Sequence, residues 1–119
     1  MLTRKEQNAK RLEELKAKLH VGAFVKNVWG STMQRVSYYE VVAINGKVVE
    51  LAHAKISGDP SPNCSFSTVT LLGASEFKQP VKRAIIRNGY LVKEGDSLSS
   101  YWSTYTIVNV GDKTDTWSD

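Results

Sequence analysis

The sequence predicts an α+β chain, mainly β: one N-terminal helix followed by a small antiparallel barrel of five to seven strands. Three observations carry this. Residues 1–20 hold a capping signal and leucines at helical spacing. Two Asn-Gly pairs, Asn45-Gly46 and Asn88-Gly89, each lie between β-branched or aromatic runs, and such pairs favour two-residue hairpin loops because both residues tolerate positive φ. Beyond residue 21, short apolar runs are divided by turn residues with no second helical pattern, which is the signature of a small barrel. By strand number and length an SH3-like barrel fits best.

In chain order, Thr3 opens a T-x-x-E capping box with Glu6, whose carboxylate is placed to reach back to the Thr3 backbone N–H. No Gly or Pro interrupts the next sixteen positions, and Leu12, Leu15 and Leu19 share one face. Gly22 stops the helix. Residues 23–29 read as a first strand, broken at Gly30-Ser31-Thr32. Residues 35–44 and 47–56 are the arms of the central hairpin. With Asn45-Gly46 as its loop, Ile44 faces Lys47, Val42 faces Val49 and Glu40 faces Leu51. The Val42/Val49/Leu51 face is then core, and the Tyr39/Val41/Val48 face is partly covered by the helix or a partner. Residues 57–63 (SGDPSPN) form a loop. Further strands are expected at 65–72, 81–87, 90–93 and 101–110. Length suits a single domain over 1–119: helix 1–20, barrel 21–110, and a polar tail 111–119 expected to fray, with Trp117 its only anchor.

Composition narrows the function. Hydrophobic content of 41% with 24% charged is ordinary globular composition. A net charge of +4 permits nucleic-acid contact without demanding it. The single cysteine, Cys64, excludes an internal disulfide, and no apolar leader or membrane-length run is present. The expectation is a cytoplasmic, non-enzymatic protein without membrane contact. Asn63-Cys64-Ser65 matches a glycosylation acceptor, which carries no weight without an export signal.

Little in the chain carries chemistry. His20, His53 and Cys64 are isolated and lack ligand spacing, so no metal and no cofactor are expected. No nucleophile elbow and no phosphate-cradling glycine cluster exist. Glu40 and Glu50 flank one hairpin but point to different faces in the expected register, so they make no acid–base pair. The aromatic set is richer, with three Trp and five Tyr. Basic residues interleave with it: Lys26, Arg35, Lys82, Arg83, Arg87 and Lys93. Such a pattern suits a stacking, electrostatic groove for single strands, a protein-binding surface, or plain core and rim packing with solvated Lys and Arg.

Val21-Gly22-Ala23-Phe24-Val25, Val28-Trp29-Gly30, Tyr38-Tyr39-Glu40-Val41-Val42 and Val48-Val49-Glu50-Leu51 together resemble a group of small, mostly uncharacterised bacteriophage accessory proteins. Those proteins share a charged N-terminal helix, a Ser-Trp-Gly triplet, an aromatic strand and a later basic hairpin. The resemblance covers residues 4–107. It departs from the pattern at Asn27-Val28-Trp29-Gly30, and residues 59–63 have no counterpart. It implies an SH3-like core and a small protein that binds and blocks a host machine, in the manner of anti-CRISPR inhibitors, in the host cytoplasm. It transfers no catalytic residue.

Three readings follow. The first is a protein-binding inhibitor of a host defence complex, with Trp29, Arg35, Tyr38 and Tyr39 as contact residues. The second is a nucleic-acid-binding barrel using Lys82, Arg83, Arg87, Tyr90 and Trp102. The third is a structural or virion component that oligomerises through strand edges or the leucine stripe. The partner's identity and the oligomeric state are left open by the sequence.

Overall fold

The computed structural model describes residues 2–30, 33–62, 65–94 and 104–118. Helix α1 (Arg4–Lys18) precedes eight strands: β1 (Phe24–Trp29), β2 (Arg35–Asn45), β3 (Val48–Ser57), β4 (Phe66–Ala74), β5 (Lys82–Arg87), β6 (Tyr90–Lys93), β7 (Thr104–Val108) and β8 (Lys113–Trp117). Neighbouring strands run β2-β1-β7-β6-β5-β3-β4-β8, and β2 also pairs with β3. That last pairing closes β1, β2, β3, β5, β6 and β7 into a six-stranded antiparallel barrel. The count lies within the expected five to seven.

The capping signal is used. The Thr3 hydroxyl accepts from the Glu6 N–H at 3.2 Å. The reciprocal half differs from expectation, because Glu6 Oε1 accepts from the Thr3 hydroxyl at 2.9 Å instead of from the Thr3 N–H. Leu12, Leu15 and Leu19 then pack onto the barrel core.

The two hairpin signals behave differently. Asn88 (φ 54°) and Gly89 (φ 80°) form a two-residue loop between the paired Arg87 and Tyr90. In the central hairpin the loop is Gly46-Lys47, not Asn45-Gly46: Asn45 pairs with Val48, and Gly46 alone has positive φ. The register slips again at Val42, where a bulge separates the Val41–Leu51 and Ala43–Glu50 pairs. One such slip turns every following side chain to the other face. The core face is therefore Val41, Val49 and Leu51, with Tyr39, and Val42 is only half-buried. The expectation that Val42 is core and the Tyr39/Val41 face partly covered is overturned.

The barrel is filled by Val25, Tyr39, Val41, Leu51, Leu91 and Tyr105 among others. A second core lies outside it. Beyond its barrel half, β3 pairs with β4 over Ala54–Ala74 and Ser57–Thr70, and β4 pairs with β8. This small flap folds back over β1 and β2, burying Val36, Tyr38, Val69 and Leu71 between the layers. β2 is consequently buried on both faces from Tyr38 to Val41.

The tail does not fray. Residues 113–117 pair with β4, with Thr114 and Thr116 inward and buried. A polar cluster fixes that strand to the barrel wall: Lys26 Nζ lies 2.9 Å from Asp112 Oδ2, and the Tyr38 hydroxyl lies 2.8 Å from both Asp112 Oδ2 and Thr114 Oγ1.

Candidate functional site

The two ends of the barrel are unlike. At one end, α1 lies across the lumen. Its leucines pack, with Ile44 and Ile107, against the barrel core that includes Ala23, Ile86 and Leu91. Arg11 reaches the hairpin loop beneath, donating to the Asn88 carbonyl at 3.1 Å and stacking over the Tyr90 ring at 4.5 Å. A methyl group on Gly89 would lie 2.6 Å from Arg11 Cβ and 2.8 Å from the Leu12 backbone nitrogen, so the helix and the loop touch backbone to backbone.

At the other end, the described residues form a concave mouth. Residues 27, 29, 37 and 39 share the inward face of the paired strands β1 and β2. Across the lumen, Lys82 lies on the face of Ala84 and Ile86, and Lys93 on the face of Leu91. Together with Tyr105 they line a cavity of about 600 Å³. In ring order β1 stands opposite β5, and β2 opposite β6. Trp29 and Tyr39 therefore form one wall, and Lys82 and Lys93 the facing one.

The aromatic wall is held from behind. The Arg35 guanidinium sits 5.4 Å from the Trp29 ring centre, and the two residues are cross-strand partners. Tyr39 stacks on His53 at 5.5 Å and meets Tyr105 edge-on at 5.9 Å. Asn27, 2% exposed, donates its amide N–H to the Thr104 carbonyl at 3.3 Å. On the cationic wall, Arg83 is paired with Glu94 at 2.9 Å and stands across the strand from Glu50.

No known protein family, curated protein or solved structure matches this chain. The site is thus read from its own residues.

Of the four contact residues expected from sequence, the mouth gathers Trp29, Arg35 and Tyr39. Tyr38 is not among them. It alternates to the outer face of β2 and is buried under the flap, 3% exposed, with its hydroxyl engaged by Asp112 and Thr114. Burial raises its ionisation well above the ordinary phenol range; the Thr114 hydrogen bond lowers it and Asp112 raises it further.

The nucleic-acid set is split. Lys82 and Arg83 flank the mouth, while Arg87 and Tyr90 stand at the helix-covered end, ~17 Å along β5. Tyr90 is already covered by Arg11. Trp102 and Cys64 lie outside the described residues. Asn27, Ser37, Lys93 and Tyr105 were not singled out as a site from sequence. The signal that finds them is strand parity, once the pairing partners are known. Among the described residues no three metal-ligating side chains cluster, and no helix is long and apolar enough to cross a membrane.

Proposed function

We propose that the chain is a non-enzymatic binding module that acts by protein–protein contact through the mouth of its barrel opposite α1. One observation carries this reading: Trp29 and Arg35 stack at one end beside Lys82 and Lys93, above the buried Tyr39 and Tyr105, while α1 packs on the other end. Trp, Tyr and Arg held rigidly at a concave rim are the residue types that anchor interfaces. The rigidity is supported by the Arg35–Trp29 stack and the Tyr39 contacts. The resemblance to phage accessory proteins adds the class of partner, a host protein or defence complex, and the inhibitor reading rests on that resemblance.

The test is affinity capture from a bacterial lysate with and without nuclease. A stoichiometric protein that survives nuclease supports the reading, and its loss in a Trp29→Ala/Arg35→Ala variant places the contact at the mouth. Capture that disappears with nuclease, or that persists unchanged in the variant, overturns it. The nucleic-acid alternative draws on Lys82 and Arg83 at the same mouth, and it requires affinity that falls steeply with salt.

A further inference from the structure

The geometry points to a ligand site inside the mouth for a small phosphorylated aromatic molecule of the nucleoside-phosphate class. This goes beyond the protein-contact reading, which concerns the rim. A cavity of about 600 Å³ is of small-molecule size.

Its two walls ask for different things. The β1/β2 wall presents Trp29, half-buried and backed by Arg35 on β2, above Tyr39, which is packed on His53 and Tyr105 in the core. Planar bases stack on such rings regardless of sequence. The β5/β6 wall presents Lys82 and Lys93. Each is inward by strand parity, and neither is in an ion pair among the described residues.

Two carboxylates share the cavity with them. Glu94 is engaged by Arg83, and Glu50 stands opposite that same Arg83 across the strands. Glu50 and Glu94 line the same cavity as Lys82, Arg83 and Lys93, so three cations face two carboxylates and the lining keeps a net positive charge. Lysine ammoniums hold phosphate as point charges. A rigid molecule with a planar ring at one end and a phosphate at the other spans from one wall to the other. Ser37 on the aromatic wall supplies polar contact for the edge of the ring or its sugar.

The probe is AMP, with UMP as a second base, titrated by calorimetry into the purified full-length chain. Adenosine and inorganic phosphate serve as separate arms. Saturable binding of a nucleotide is expected, with adenosine and phosphate each weaker by about tenfold or more, since each satisfies one wall. Lys82→Ala/Lys93→Ala should weaken the nucleotide by about tenfold or more and leave thermal unfolding unchanged, because neither side chain belongs to a core. Arg87→Ala, at the helix-covered end, should change nothing. No heat from either nucleotide at millimolar concentration overturns the site. So does equal binding by the double-lysine variant, or equal loss in Arg87→Ala. The titration contains no partner protein, so a silent calorimeter leaves the protein-contact reading standing, and a failed capture with a positive titration does the reverse.

Discussion

Two residues show how single groups carry this fold. Tyr38 joins the flap to the barrel by polar contact, beside the Lys26–Asp112 pair. Its phenol is neutral in the folded state, and burial with Asp112 keeps it so against the Thr114 bond. Below pH ~10 the hydroxyl is protonated in both states and its contribution is fully present. Above that, the unfolded chain ionises first, so stability falls as pH rises. Denaturant unfolding should show a steeper alkaline decline in the wild type than in Tyr38→Phe. At neutral pH that variant should be less stable by about 1–2 kcal/mol, since it leaves Asp112 and Thr114 short of a partner. The second residue is Gly89. Its φ of 80° and the 2.8 Å approach to the Leu12 backbone leave no space for a side chain. Gly89→Ala combines left-handed strain with a forced displacement of α1, and should cost at least about 2 kcal/mol by thermal unfolding.

At the scale of the element, α1 is held by a half-buried leucine stripe and the Arg11 contacts, not by burial on all sides. Leu12→Ala and Leu15→Ala should each cost about 1–2 kcal/mol, below the range for fully buried leucines. Hydrogen exchange should show α1 opening before the barrel strands. Removal of residues 111–119 should strip β8 from β4 and expose Val69 and Leu71. Limited proteolysis within 58–74 should then become rapid. These elements were unequally legible in the sequence. The helix was readable because its cap and stripe are local. The 88–89 hairpin was readable because both loop residues take the positive φ their types allow. The central hairpin was misregistered because residues 38–42 offer apolar side chains to both faces, and a two-sided pattern does not choose a register. β8 was missed because its inward positions are Thr114 and Thr116, whose alternation is polar. Their role follows from Tyr38 and Asp59 accepting or supplying hydrogen bonds, contacts distant in sequence.

For the molecule as a whole, closure of the barrel decides which residues meet. The aromatic and basic content was legible, and so was the β-rich class. The site was legible only in part. Trp29, Arg35 and Tyr39 lie at one end of the barrel, and the basic residues divide between the two ends because Lys82 and Arg83 begin β5 and Arg87 closes it. A nucleic-acid track along β5 would need Lys82, Arg83 and Arg87 on one surface. Binding to a single-stranded oligonucleotide, measured against salt, should therefore show the same slope in the wild type and in Arg87→Ala. The many non-local strand pairs also place folding in the millisecond-to-second range typical of small β-barrels, measurable by stopped-flow.

The strand buried on both faces has a consequence for how this chain tolerates change. An ordinary barrel strand offers evolution every second position, because alternate side chains face water. From Tyr38 to Val41 that freedom is absent, since one neighbour belongs to the inner core and the next to the layer beneath the flap. A saturation-substitution profile should therefore show an unbroken block of intolerance there, while β4 and β8 keep the usual every-other-residue rhythm. The chain's variation should collect on the exposed positions of its flap, and scarcely at all on that block of β2.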